Sequence, residues 1–580
     1  MDKNEIANIF EEIALLLELK GENPFRIRAY RNAARAVLSL DEDLKTVALE
    51  KRLTSLEGIG DDLADKITTL VKTGRLPFYE KLKKSIPSGL VEMMRVHGLG
   101  GKKIKTLYEK LKIKSIDQLK EACKKGKLSK LPGFGKKTEK NILESLEHQE
   151  TYQKRHLWWE AMAMASPILE ELRQLKEVDR AEIAGSLRRK LETIGDLDFL
   201  VASSNPKPVM QWFTSQPFVA RILGKGDTKS SVKLQGGMQA DLRIVHEKQF
   251  EFALAYFTGS KEHNIKMRER SSKQGWTLSE YGLEAEKSLG KGPFAGRKKT
   301  VTEEDIYKAL RLPFIPPELR ENRGEFEAAE KNKIPILVEA KDIRGTFHNH
   351  TTASDGKNTL KEMVAAAQKL GWEYIGIADH SKSSFQAKGQ SAQQLLKQVE
   401  EIDELNRSKK FRPFVFAGVE CDILTDGTLD FPDKVLKKLD YVVISVHSSF
   451  QQDEKTMTNR IIRAIENPYT TMVGHLTGRL LLKREGYKVN VAKVIDACIA
   501  NKKIMELNAN PMRLDMDWRF WHAASDKGLM CCINTDAHSI DTLQFFRAGV
   551  NAARKGWLKK EDILNTRPLR QVQKILKQIS

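Results

Sequence analysis

Three aspartates and a short glycine-serine turn offer the first chemistry in the chain. Asp196 and Asp198 stand two apart in Ile194-Gly195-Asp196-Leu197-Asp198, so on a strand both carboxylates project from one face. Two acids side by side repel unless cations lie between them, which asks for divalent metal. A third acid, Asp241, sits in a second β-rich stretch, Gln239-Ala240-Asp241-Leu242-Arg243-Ile244. Three carboxylates around two Mg2+ or Mn2+ ions suit in-line displacement at a phosphoryl group, one ion activating the attacking hydroxyl and the other holding the leaving pyrophosphate. Upstream, Gly185-Ser186 and Arg189 bring a tight turn, a hydroxyl, backbone N–H groups and a guanidinium, donors that suit the β- and γ-phosphates of a nucleotide. An Asp-x-Asp pair alone would read as a solvated turn. The contiguous string from Gly185 to Asp198 carries the metal reading.

A second chemistry is written in histidine, most of the chain's 12 falling beyond residue 342. Apolar stretches there end on a ligand-type residue: Phe347-His348-Asn349-His350 with Asp355 close behind, Ala378-Asp379-His380, Gly418-Val419-Glu420, Val446-His447, Gly474-His475 and Thr535-Asp536-Ala537-His538. Ile504–Asn508 adds a strand without an obvious ligand, and His522 lies outside the pattern. Functional residues at the C-terminal ends of successive parallel strands, here seven, are how a β/α barrel builds an active site. His348, His350, Asp355, His380, Glu420, His447, His475, Asp536 and His538 supply nitrogen and oxygen donors for about three ions at four or five ligands each, counting shared groups and water. Zn2+, Mn2+ and Fe2+ suit such donors almost equally. Any one of these histidines alone would read as a packed core residue; the recurring series would not.

The elements that must position these groups follow from length and periodicity. A chain of 580 residues exceeds the ~250–300 that one hydrophobic core supports. Lys and Arg total 98 against 78 Asp and Glu, a formal charge of +20, which points to a polyanion such as nucleic acid or an anionic membrane surface. No apolar run reaches the ~18–20 residues of a membrane span, and the acidic, amphipathic start lacks a signal-peptide order, so a soluble intracellular protein is expected. Five cysteines without CxxC spacing read as reduced, mostly buried thiols. Residues 1–150 read as short amphipathic helices, for example Ile6-Phe10-Ile13-Ala14-Leu17, punctuated by a weak glycine repeat. Its copies carry Gly58 and Gly60, Gly98 and Gly100, and Gly133 and Gly135; Lys102-Lys103 and Lys136-Lys137 follow the last two. A Gly-x-Gly turn at a helix N-terminus exposes N–H groups to a phosphate at the positive end of the helix dipole, so these glycines with Lys102 and Lys136 are candidate DNA-backbone contacts. From about 181 β-rich stretches alternate with helical ones. A Pro-, Glu- and Arg-rich stretch over 313–341 reads as a linker, and beyond it apolar strands alternate with helices in the manner of a parallel α/β fold.

The glycine repeats resemble helix-hairpin-helix motifs, and Gly185 to Asp198 resembles the nucleotidyltransferase signature of DNA polymerase beta and other family X DNA polymerases. The likeness continues at Tyr256-Phe257-Thr258-Gly259-Ser260, Asn264-Ile265-Lys266-Met267-Arg268 and Glu280-Tyr281, and covers roughly residues 1–317. It implies a nucleotide held by Gly185, Ser186, Arg189 and Gly195, its sugar met by Tyr256, Phe257 and Gly259, which discriminate against ribose, and its base by Asn264. Arg268 would support the template strand, with Arg243 a further DNA contact. Alignment on the first hairpin places Lys66 where members with lyase activity carry a Schiff-base lysine; burial or neighbouring cations would activate it, whereas Asp62, at a position basic in those enzymes, would oppose this. The histidine series resembles the PHP (polymerase and histidinol phosphatase) domain, with all nine expected ligand positions filled. That implies a metal-activated hydroxide attacking phosphorus, as a 3′-5′ exonuclease, with abasic sites and 3′-phosphates as further targets.

The expected protein is multidomain. An all-α helix-hairpin-helix N-terminal region comprises a lyase-like domain (1–80) and a fingers-like DNA-binding domain (81–150). An α+β nucleotidyltransferase palm (151–255) and a thumb-like nucleotide-selection subdomain (256–317) follow, then a linker (318–342) and a C-terminal α/β PHP barrel (343–580), a distorted seven-stranded β/α barrel. The resemblance implies a bacterial enzyme filling short gaps in DNA repair, including base excision repair, with gapped or primed DNA and dNTPs as partners. It would be a monomer, cytoplasmic and nucleoid-associated, with no membrane partner. A PHP-type small-molecule phosphatase tethered to a DNA-binding region stays open as an alternative. So does a non-catalytic gap-binding protein, although binding alone would favour lysines over three acids facing DNA phosphates.

Overall fold

A computed structural model describes residues 3–38, 40, 44–56, 58–93, 96, 99, 101–136, 138–140, 142, 143, 146, 155–285, 292–297 and 300–579. The chain falls into two compact units, Met1–Gln153 and Lys154–Ser580.

The first unit is helical. Helix Lys3–Lys20 buries Ile6, Phe10, Ile13, Ala14 and Leu17, the face its spacing predicts, and packs on helix Pro24–Leu38. The internal repeat is physical as well as sequential. In its three copies the N–H of Ile59, Leu99 and Phe134 closes a turn onto the carbonyl of Leu56, Val96 and Leu131, each at 3.1 Å. Ile59, Leu99 and Phe134 are all buried, so the same apolar plug pins each turn. Gly58 and Gly133 take φ of +87° and +82°, left-handed backbone that glycine adopts without steric cost. Gly98, Gly100 and the side chain of Lys102 lie outside the described residues.

The second unit begins with a five-stranded sheet in the order Arg180–Ile183, Asp196–Ala202, Gln239–Val245, Lys229–Leu234 and Val219–Lys225, in which the second and third strands run parallel. Period-two alternation decides what each face holds. Leu197, Phe199 and Val201 join Ala240, Leu242 and Ile244 in a core with helices Trp158–Gln174 and Pro206–Ser215. The opposite parity carries the aspartates, and Leu200 and Ala202 pack there on helix Phe250–Thr258. Beyond this sheet come helix Lys261–Ser272, a hairpin of Trp276–Ser279 with Gly282–Ala285, and helix Glu303–Ala309.

The stretch expected as a linker is packed rather than solvated. Arg320 and Glu325 are fully buried. Arg320 donates to Glu303 Oε1 at 2.7 Å and to the Ile315 carbonyl at 2.8 Å, while Glu325 accepts from the N–H groups of Asn322 and Arg323, both at 2.7 Å. Its composition misleads because these charges find partners inside the fold.

In the C-terminal domain six parallel strands follow in chain order: Tyr374–Ile377, Phe414–Asp422, Tyr441–Ser445, Met472–Val473, Ile504–Asn508 and Cys531–Asn534. Outward residues such as Val415, Ala417 and Val419 join the helices in the largest core; inward Tyr374, Phe416, Tyr441 and Met472 fill the interior around Phe347. Gly418 faces that interior, where a Cβ would come 2.3 Å from the Tyr441 ring, so the strand needs glycine to admit the tyrosine. Seven strands were expected. The segment Thr346–His350 forms only one bridge, Asn349 to Ala537, because the Asn534 side chain rather than a backbone carbonyl takes the Phe347 N–H. Even so, Gly376 N–H bonds to the Thr346 carbonyl at 2.7 Å and His350 N–H to the Ala537 carbonyl at 2.8 Å, so the segment touches both edges of the sheet. All five cysteines are free and buried, and no helix of the described residues is long and apolar enough to cross a membrane.

Candidate active sites

The parallel register sets Asp198 directly opposite Asp241, with Asp196 two residues before on the same face. Burial raises the Asp198 carboxyl to about 7, the charges of Asp196 and Asp241 pushing the same way against Arg243 and Arg189. Gly185, at φ +62°, abuts this acid: a Cβ there would lie 2.0 Å from Asp198 Oδ2. The turn therefore brings its backbone as close to the acid as any side chain allows. Asp241 is turned aside, accepting from Gln239 Nε2 at 2.9 Å and pairing with Lys229 at 3.3 Å. The three acids thus share a face without forming one of the compact ligand groups found elsewhere.

Several residues expected around a nucleotide gather here. Arg189 lies beside the turn with its guanidinium engaged: its Nε donates to Glu321 Oε1 at 3.0 Å and its Nη1 to the Thr258 carbonyl. Gly259 sits against Arg189, with a Cβ position 3.2 Å from Nη1. Tyr256, Asn264 and Arg268 line one pocket with Leu278 and Ser279, and Asn264 Nδ2 donates to the Tyr256 carbonyl at 2.7 Å. Phe257 packs edge-on to Tyr256 and carries the Arg243 guanidinium 4.3 Å from its ring centre, which keeps Phe257 and Arg243 occupied with each other. In the first unit Lys66 pairs with Asp62 and lies over the Tyr30 and Phe78 rings.

The histidine series does converge. Ligand atoms come within 4.8 Å of one another in three groups: His350, Asp355, His380 and His538; His348, His350 and Asp536; and His380, Glu420 and His447. His475, the one expected ligand outside them, lies 3.0 Å from Glu420 Oε1. Both ring nitrogens of His350, Nε2 of His348, Nδ1 of His380 and of His475, and Oε2 of Glu420 are buried without a well-aligned hydrogen bond, although His380 Nδ1 and His348 Nε2 lie 2.9 and 3.2 Å from Glu420 Oε2. Buried polar atoms are seldom left so, and a knot of them with this donor chemistry fits divalent cations. Burial, reinforced by the charges of His538 and His380 close by, lowers His350 to about 4, which favours the neutral form that ligates. Burial opposes charge on His447, yet Glu420 and Asp422 raise it to about 10.

Two supporting acids escaped the sequence reading. Glu506 lies 2.7 Å from His348 Nδ1 and accepts from the Asn534 and Asn508 amides, both at 2.9 Å. Asp422 lies 2.6 Å from His447 Nδ1. Carboxylates behind the far ring nitrogen fix a ligating histidine's tautomer and orientation. The signal was present: Glu506 interrupts the apolar strand Ile504–Asn508, and Asp422 shares strand parity with Glu420.

Comparison with known proteins follows the same division. The family models described as helix-hairpin-helix domain, SAM-like helix-hairpin-helix tandem, DNA polymerase beta thumb and PHP domain match residues 1–76, 90–148, 253–321 and 346–510. DNA polymerase lambda of Rattus norvegicus is 24% identical over 339 residues, 54% of this chain and 56% of its own length. A probable phosphatase of Thermoanaerobacter sp. (strain X514) is 25% identical over 234 residues, 38% of this chain and 89% of its own. The DNA polymerase/3′-5′ exonuclease PolX of Bacillus subtilis (strain 168) is 39% identical over 581 residues, the full length of both chains. With the likeness to that enzyme running end to end, the chain belongs to the bacterial PolX family of family X DNA polymerases that carry a C-terminal PHP domain.

Proposed function

We propose that the chain fills short gaps in DNA, adding deoxynucleotides at the aspartate face, and trims DNA 3′ ends at the histidine centre. The observation that carries the first activity is Asp198 set opposite Asp241 beside the Gly185 turn. Divalent cations held by Asp196, Asp198 and Asp241 would supply Lewis-acid polarisation of phosphoryl oxygens. Asp198, raised to about 7 by burial and the neighbouring acids, would serve as a carboxylate ligand beside such charge. The Gly185-Ser186 turn offers N–H and hydroxyl donors to a triphosphate, and Arg189 joins them by leaving Glu321. Tyr256, Asn264 and Arg268 line the pocket that would take sugar, base and template. The glycine hairpins, with Lys136 and Lys102, would grip the DNA backbone without reading sequence.

At the histidine centre, His348, His350, Asp355, His380, Glu420, His447, His475, Asp536 and His538 would hold cations that activate water toward phosphorus. His350 and His380 each belong to two of the three ligand groups, which fits neighbouring ions sharing a wall. In this reading Thr346–His350 serves as the barrel's seventh stave, since it bonds to both sheet edges. The likeness to a probable phosphatase favours a second reading of this centre, hydrolysis of phosphomonoesters including a DNA 3′-phosphate.

A 5′-phosphorylated short-gap substrate, incubated with and without dNTPs, tests both centres. Asp198→Ala should abolish extension by at least about a thousand-fold and leave degradation intact, and His350→Ala should do the reverse. If either change removed both activities equally, the division of labour would fail. Faster turnover of a small phosphate ester than of single-stranded DNA would favour the second reading.

A further inference from the structure

Lys555 ends helix Phe546–Lys555 of the C-terminal domain and is 1% exposed. Its Nζ donates to the carbonyls of Arg189 at 3.0 Å and Glu318 at 3.2 Å and to Glu321 Oε1 at 2.8 Å, and lies 4.6 Å from the centre of the Trp518 ring. A buried ammonium costs stability unless it is paired, so this placement needs an account. Its partners are far from idle. Glu321 Oε1 also accepts from Arg189 Nε at 3.0 Å, so one carboxylate oxygen is shared by a cation of the C-terminal domain and by the arginine nearest the aspartate turn. The same turn is gripped twice more: Glu192 accepts from Trp518 Nε1 at 2.8 Å and Arg519 Nη1 at 2.9 Å, and Glu318 pairs with both Lys190 and Arg554.

We propose that Lys555 is a positioning residue for nucleotide incorporation: by remaining on Glu321 it releases Arg189 to the triphosphate. The inference rests on the reading of Arg189 as a phosphate ligand. Among the described residues, Arg189 and Lys555 are the cations within 4.0 Å of Glu321. Burial would raise the Glu321 carboxyl, but Lys555 and Arg189 hold it below its usual range, so it stays an anion needing a partner. When Arg189 leaves with a nucleotide, Lys555 keeps that anion paired; without Lys555, departure would strand a buried charge. The C-terminal domain thereby acts on synthesis through a contact outside its histidine centre.

Steady-state incorporation on gapped DNA by the full chain tests this with Lys555→Met, Lys555→Arg, Glu321→Gln and the Lys555→Met/Glu321→Gln pair. Lys555→Met should raise KM for dNTP by at least about thirty-fold with kcat little changed, the size expected when a buried charge loses its partner. Lys555→Arg should stay near wild type, and Glu321→Gln in the Lys555→Met background should bring KM back down. DNA degradation at the histidine centre should be unaltered in Lys555→Met. An unchanged KM, a fall in kcat alone, or no recovery in the double variant would overturn the proposal. If thermal melting shows Lys555→Met to be unfolded, Glu321→Gln alone decides: a lowered KM supports the role and a raised one refutes it. Absence of incorporation by the wild type, or its survival in Asp198→Ala, would instead strike down the reading of the aspartate face.

Discussion

Gly185 concentrates the demands of the aspartate face in one residue. Its left-handed backbone turns the chain, and its missing side chain leaves the room that Asp198 Oδ2 occupies. Gly185→Ala should cost about 1–3 kcal/mol through backbone strain. Displacing the acid should lower incorporation by roughly a hundred-fold, the penalty of about 1 Å of misplacement. Thermal melting and single-nucleotide extension measured together check this; near-normal extension would show that the close approach is dispensable. Gly185, the three aspartates and the nine ligand-type residues are legible in the sequence because their chemistry is rare and their spacing regular. Glu506 is not, because a single acid in an apolar strand gives no spacing to read, and only the fold places it behind His348.

Among the elements, strand alternation was the dependable guide. The parity of Asp196–Ala202 and of Phe414–Asp422 assigns core and site residues before any contact is known. It fails at Thr346–His350, where a side chain replaces a backbone partner and the ladder stops at one bridge. It is also silent about the stretch joining the two halves, whose Pro and charged residues look solvated. There the start of helix Glu303–Ala309 is tied to Arg188 and to buried Arg320. Burial would raise Glu303, but Arg320 and Arg188 hold it at about 2, below the ~4.3 of an unfolded chain. A depressed carboxyl stabilises above its unfolded value and loses that contribution as pH falls toward its folded one. Glu303→Gln should therefore lower stability by about 3 kcal/mol at pH 7. The gap from wild type should close as pH drops from about 4.3 toward 2. Melting temperatures across that range measure it; a gap independent of pH would assign the loss to packing.

For the whole molecule, a charge of +20 and a threefold glycine repeat suit a chain that works on DNA. The first hairpin departs from the others, opening its helix with Asp61 and Asp62 where the second and third carry lysines. The five buried thiols have a consequence of a different kind. Burial raises Cys123, Cys421 and Cys498 to about 12, which suppresses the thiolate as well as hiding it. Each sulfur is therefore a silent reporter that answers an alkylating dye only when its surroundings open. Cys123 would time the breathing of the helical unit, and Cys421, Cys498, Cys531 and Cys532 that of the six-stranded C-terminal domain, with mass spectrometry separating the two. Complete labelling within seconds in native buffer would show these interiors to be looser than their packing implies.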